Sequence, residues 1–133
     1  MLFRSGQERG GLKESAFYLV AALFALHPQS TEFGNMGAHM AKTRTESGED
    51  ALERRFTALL SAHPDDLPDY LRQAISFLKS KEEPVNWTQL LWDLQSWDKR
   101  DDPKTSVQKK WARSFWGGRQ IPEPSDKSNN QGE

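Results

Sequence analysis

Apolar residues along this chain return at spacings of three and four rather than two, and that period predicts helices lying on a core. The first covers about 12–26, where Phe17, Leu19, Val20, Leu23, Phe24 and Leu26 occupy most of the circumference before His27-Pro28 stops it. A helix apolar nearly all round reads as central and packed. Residues 29–49, rich in Ser, Thr, Gly and Asn, predict a connecting loop in which only 36–42 has the character of a short helix. The next helix begins near Asp50, carries Leu52, Phe56, Leu59 and Leu60 on one face, and halts at His63-Pro64. Asp65 and Asp66 suit the following start, since carboxylates accept from free amides and oppose the helix dipole. Leu67, Leu71, Ala74, Ile75 and Leu78 then mark a buried stripe ending near Lys79.

A fifth helix follows Pro84 with Asn86 as its cap and Trp87, Leu90, Leu91, Leu94 and Trp97 along one side, and a polar turn at 98–103 closes it. The sixth begins near Pro103, shows Val107, Trp111 and Phe115 at spacings of four, and stops at Gly117-Gly118. Connections between the last four are short, roughly three to seven residues, which favours antiparallel neighbours. Strand signals are absent, because no run alternates cleanly between apolar and polar. The expected fold is therefore all-α, a small antiparallel helical bundle with Phe56, Leu71, Leu78, Leu91, Leu94, Trp111 and Phe115 inside. Residues 119–133 hold Pro, Ser, Asn, Gly and Gln with Ile121 as the one large apolar residue, a composition that predicts a disordered tail.

The 133 residues suit one domain, and a formal net charge of −1 gives the whole chain no long-range pull on an anionic polymer. Any contact with nucleic acid must come from a local patch. With Cys 0, disulfides and thiolate chemistry are excluded. The longest apolar stretch, 16–26, is well short of the roughly 20 residues that cross a bilayer, and Arg4, Glu8 and Arg9 precede it with no small-residue cleavage site behind it. No membrane association and a cytoplasmic location are expected.

Catalytic constellations are missing. His27, His39 and His63 stand at loop or helix ends without metal-ligand spacing, so they read as surface residues and no metal or cofactor is expected. The pairs Asp65-Asp66 and Asp101-Asp102 adjoin helix starts, where capping accounts for them. Gly10-Gly11 and Gly117-Gly118 follow no strand, so neither is a phosphate loop. No catalytic residue is assigned.

Basic residues carry more. The stretch 103–120 contains Lys104, Lys109, Lys110, Arg113 and Arg119 and no acid. Lys109 and Arg113 project opposite the Val107, Trp111 and Phe115 face, where like charges four apart cost a few tenths of a kcal/mol that an anionic partner would offset. A solvated face near a helix C-terminus accounts for the same pattern. Arg54, Arg55, Arg72 and Lys79 form a second set, in which Arg72 and Lys79 share one side and Arg55 flanks its apolar stripe, its stem on the core and its guanidinium in water. Surface ion pairing with Glu49, Glu53 or Asp69 is the alternative use for them. All five tryptophans lie between 87 and 116, and four fit core positions. Trp92 stands about 100° off its helix's stripe, placed to stack on a base, fill a partner's pocket, or pack on a neighbouring helix.

The ordered phrases FYLVAALFALHP (17–28), LERRFTALL (52–60), DDLPDYLRQAISFLKS (65–80), VNWTQLLWDLQSWD (85–98) and VQKKWARSFWG (107–117) resemble the CasB family, the small subunit of the CRISPR surveillance complex Cascade. The resemblance covers about 14–118. It implies an all-helical subunit without an active site, present in two copies beside the guide-carrying backbone, that supports opened target DNA. Implied partners are the other Cascade subunits, guide RNA, the target DNA backbone and a second copy of the chain. The family's basic positions match Arg54, Arg55 and Arg72 in LERRF and DYLRQ, and Lys109, Lys110 and Arg113 in VQKKWAR; Lys79 joins them by its position beside Arg72. The corresponding organisation is an N-terminal extension at 1–12, a helical domain at 13–118 and the tail at 119–133. Family members carry several dozen further helical residues before the position of Phe17, which implies either a fragment or a shortened N-terminal bundle. The first helix would then expose an apolar patch unless a partner covers it. The competing reading is a protein-interaction scaffold whose Trp-rich helices dock to another protein and which binds no nucleic acid.

Overall fold

The chain forms helices α1 (Gln7–Leu26), α2 (Met36–Ala41), α3 (Glu49–Ser61), α4 (Leu67–Ser80), α5 (Trp87–Gln95) and α6 (Val107–Gln120). The structure, a computed structural model, describes residues 7–97 and 106–120, and side chains over 15–97 and 106–117. Asp101-Asp102, Pro103, Lys104, the 98–103 turn and the tail from 121 onward lie outside the described residues. Among those described there is no strand, and the one extended pairing is a parallel bridge between Ser30 and Val85. The fold is the expected all-α bundle.

Local chemistry sets the helix starts. Asn35 Oδ1 accepts from Ala38 N at 3.0 Å to begin α2, and Asn86 Oδ1 accepts from Gln89 N at 3.2 Å to begin α5. The acidic start of α4 works differently from expectation. Asp66 occupies the capping position but its side chain makes no capping bond; the Asp65 amide instead donates to His63 Nδ1 at 3.0 Å. At the other end of the chain α6 continues through Gly117-Gly118 to Gln120. The glycine with positive φ among the described residues is Gly34, so Gly117 does not adopt the left-handed turn that would have ended the helix. Helix α1 likewise begins at Gln7, inside the segment expected as an extension.

Short connections suggested that sequential helices would be neighbours. That holds for α3 and α4, whereas α6 packs chiefly on α2, and α5 on α1, which also meets α4. Two features redirect the packing. Gly37 brings the α2 backbone against α6, where a Cβ would lie 2.8 Å from the Trp111 carbonyl carbon and 3.0 Å from its Cα. Trp87 of α5 meets Phe24 of α1 edge-to-face at 5.7 Å and donates its indole N–H to Gln29 O at 2.9 Å.

The core holds Leu23, Met36, Met40, Phe56, Leu71, Ile75, Leu78, Trp97, Trp111 and Phe115. Leu91, expected inside, is only partly buried, because α5 turns Trp87, Leu90 and Leu94 inward instead. Helix α1 is not packed all round as its pattern suggested and carries instead the exposed apolar patch that was the other expectation for it. Ala16, Val20 and Leu23 face the core, but Phe17, Tyr18 and Phe24 remain 59%, 78% and 43% exposed. Its main neighbours are α4 and α5, and two neighbours span only part of a helix's circumference.

His27 and His39, expected at the surface, are both buried. Each bonds a distant backbone group through Nε2, His27 with Glu83 O at 2.7 Å and His39 as acceptor from Asn86 N at 2.9 Å, while His39 Nδ1 is buried without a partner among the described residues. Burial, with Lys42 nearby, lowers the His39 pKa to about 4, so its ring is neutral near pH 7.

Candidate nucleic-acid interface

The α3–α4 pair presents the clearest basic surface. Arg55, Arg72, Gln73, Ser76, Phe77 and Ser80 line one shallow groove. The sequence spacing explains why. Arg72, Ser76 and Ser80 follow at intervals of four along α4, opposite its buried Leu71, Ile75 and Leu78 stripe, and Arg55 reaches across from α3 beside buried Phe56. The Arg55 guanidinium carbon stands 4.7 Å from the Phe77 ring centroid, and Lys81 Nζ stands 5.6 Å from the same centroid. Arg72 pairs with Asp69 at 3.7 Å, both side chains more than half exposed. Such a surface pair contributes about 1 kcal/mol at most, too little to withhold Arg72 from a phosphate.

The structure divides the second basic set that the sequence grouped. Arg54 turns into a separate depression with Asp50, Glu53, Thr57, Ala58 and Ser61, away from the Arg55–Arg72 groove. Lys79 is exposed on α4 but does not line that groove. Glu49, offered as a partner for these arginines, bonds Arg44 at 3.3 Å, and Glu53 accepts from Trp116 Nε1 at 3.3 Å.

On α6, Lys109, Lys110 and Arg113 are all exposed while Trp111 and Phe115 are fully buried, as the four-residue spacing predicted. The inward side is fixed by a polar lock. Trp111 Nε1 donates to Asp93 Oδ2 at 2.8 Å, and Gln89 Nε2 donates to Asp93 Oδ1 at 2.9 Å. Burial raises the Asp93 pKa, and these two bonds and the charge of Lys110 oppose that rise.

Sequence reasoning missed two cations. Lys81 lies just past the end of α4, outside its apolar stripe, although its spacing of four from Phe77 was a usable signal. Arg44 gave no local signal; it donates to Phe115 O at 3.0 Å and covers the Phe115 ring at 4.3 Å, a structural role. Of the tryptophans, Trp87, Trp97 and Trp111 are buried and Trp116 packs against the core, but Trp92 is 62% exposed. Among the described residues no group of three or more His, Cys, Asp or Glu is placed to hold a metal ion, and no helix is long and apolar enough to cross a membrane.

Known proteins share this fold. The family model for CRISPR-associated protein Cse2 matches residues 3–116. A CRISPR-associated protein Cse2 of Thermus thermophilus is 35% identical over 105 residues, which span 79% of this chain and 58% of that protein. The crystal structure of CasB from Thermus thermophilus superposes with a TM-score of 0.68 at 31% identity, covering 80% of this chain and 64% of that one. For the CasB of M. ruber the TM-score is 0.71 at 30% identity, with 84% and 69% covered. The chain thus spans about three fifths of the length of its Thermus relatives. The resemblance read from the sequence holds, and the chain belongs to the CRISPR-associated Cse2 family.

Proposed function

We propose that this chain is a non-catalytic small subunit of an RNA-guided Cascade complex, where it steadies opened target DNA by gripping strand backbones. The observation that carries this reading is the α3–α4 groove, where Arg55 and Arg72 converge from two helices beside polar Gln73, Ser76 and Ser80. With a net charge of −1 the chain attracts DNA only locally. A local grip suffices for the task. In RNA-guided recognition base pairing reads the sequence, and exchange of the DNA duplex for a heteroduplex is nearly balanced, so a few backbone contacts tip it. Arg54, Lys79, Lys109, Lys110 and Arg113 are the further contacts proposed. Guide RNA, the other Cascade subunits and a second copy of the chain are its proposed partners, in the cytoplasm.

The test uses assembled complexes and a guide-matched target at several salt concentrations. Each phosphate contact should contribute a slope of roughly −0.9 on duplex or −0.7 on single strands in log affinity against log salt. Arg55→Ala and Arg72→Ala should each flatten the slope by about one contact, equally for every matched target, since phosphates carry no sequence information. Unchanged slopes in both would refute the reading. A second reading, a scaffold without nucleic-acid binding, is favoured by the 62% exposure of Trp92. It requires Trp92→Ala to release the chain from its complex while the arginine variants bind DNA normally.

A further inference from the structure

We propose that Lys81 is a phosphodiester contact and that Phe77 is the positioning residue that holds Lys81 and Arg55 as a two-cation grip, with no base stacked on its ring. The inference rests on the nucleic-acid reading of the groove and extends it to residues outside the basic positions of that reading.

Three observations carry it. Both cations lie over one ring, Arg55 Cζ at 4.7 Å and Lys81 Nζ at 5.6 Å, inside the range where the negative face of an aromatic ring attracts a cation. Like charges brought to one ring repel, and the ring's quadrupole offsets part of that repulsion. Neither cation takes part in the ion pairs between the described residues that join Lys42 to Glu83, Arg44 to Glu49 and Arg72 to Asp69. Their charge is therefore not spent on a carboxylate there. Lys81 is also fixed at its backbone. It closes α4, its amide donating to Phe77 O at 3.2 Å and Leu78 O at 3.1 Å, and Glu83 N returns to Leu78 O at 2.9 Å. A cation at that end is favoured by the helix dipole, so Lys81 sits there before any ligand arrives.

The same geometry decides what the groove takes. A base would need an open ring face, but Phe77 is half-buried and two cations already occupy its surroundings. What remains presented to solvent is the set of N–H donors of Arg55, with Arg72 and Ser76 beside it in the groove, and of Lys81, which reaches the same ring from the end of α4 without lining the groove. Those groups match phosphate oxygens.

Complexes assembled with Lys81→Ala, Phe77→Leu, Phe77→Tyr or Arg55→Ala, titrated with guide-matched DNA at several salt concentrations, test this. Lys81→Ala should flatten the salt slope by about one contact, as Arg55→Ala does. Phe77→Leu should weaken binding roughly two- to fivefold at low salt, with the loss fading as salt rises, and Phe77→Tyr should restore it because a phenol ring still attracts cations. If Arg55→Ala and Arg72→Ala flatten the slope but Lys81→Ala does not, the grip is wrong and the nucleic-acid reading survives. A loss in Phe77→Leu that is equal at all salt concentrations means a stacked base and overturns the proposal. Release of a partner subunit by Lys81→Ala, with DNA binding unchanged, assigns the cation to an acidic protein surface and also overturns it.

Discussion

Replacing Gly37 by Ala tests the packing of α2 on α6 through the sign of its effect. By helix propensity alone the change should stabilise, since Ala is favoured over Gly by about 1 kcal/mol inside a helix. The structure predicts the reverse. A Cβ at Gly37 would press on the Trp111 backbone, with the carbonyl carbon at 2.8 Å and Cα at 3.0 Å, and backbone cannot swing aside as a side-chain tip can. Helix α2 would have to lift, loosening Met36 and Met40, which are 1% and 0% exposed. Overpacking of this kind typically costs about 1–3 kcal/mol, and partial loss of two buried methionines adds to it, so we expect a net destabilisation of about 2–3 kcal/mol after the propensity gain. Gly117→Ala is the matched control, because its Cβ would meet only Arg113 Cγ at 3.9 Å. It should be neutral or stabilising by up to about 1 kcal/mol. Urea unfolding of both variants gives the answer. If Gly37→Ala also stabilises, the close approach of α2 and α6 is wrong.

Three further outcomes follow from the geometry. The His39 ring should stay neutral at pH 5 and titrate at about 4; because the unfolded chain takes up that proton first, near pH 6.5, this residue's contribution is intact above pH 6.5 and falls by about 3 kcal/mol as pH drops to 4. Its imidazole NMR shifts are the measurement, and a midpoint near the ordinary histidine value would refute the burial. Asp93 acts in the opposite sense, since its raised pKa means that the folded state binds the proton more readily. Trp111→Phe should destabilise by roughly 2 kcal/mol, because it leaves the buried Asp93 Oδ2 without its donor; a loss below about 0.5 kcal/mol in urea unfolding would mean the bond contributes nothing net. Glu82, at φ 57, is the non-glycine residue with positive φ among those described, and it follows the end of α4 where Gly is favoured. Glu82→Gly should raise the melting temperature, reflecting about 0.5–1 kcal/mol of relieved backbone strain, and a lowered one would contradict that account.

The bundle was legible in the sequence where one periodic stripe determined both helix and burial. The Leu67, Leu71, Ile75 and Leu78 series is buried as read, and the Asn86 cap is a contact within three residues. The offset of Trp92 marked it as lying off the stripe but left packing on a neighbouring helix open, and the structure exposes it. Histidine burial was not legible, because the groups that bond His27 and His39 lie 56 and 47 residues away. For α1 the pattern revealed an apolar surface but not how many neighbours would share it. The candidate site divides similarly: Arg55 and Arg72 were singled out by charge, whereas their meeting in one groove, the approach of Arg55 to Phe77 and the separation of Arg54 depend on how α3 lies on α4.

The bonds that join the 27–31 segment to 83–87 also favour an order of assembly. His27 meets Glu83 across 56 residues, Thr31 and Gln29 pair with Val85, and Trp87 reaches Gln29 across 58. Closing so long a loop from a disordered chain costs about 3.5 kcal/mol in entropy beyond a constant. Helices α3 and α4 lie inside that loop and meet through contacts near in sequence. If they pair first, only about two dozen flexible residues remain, and the closure cost falls by roughly 0.7 kcal/mol. On this count the hairpin that bears the basic groove is expected to form before the clasp between 27–31 and 83–87, and before the α2–α6 contacts, whose flanking bonds span 71 and 79 residues.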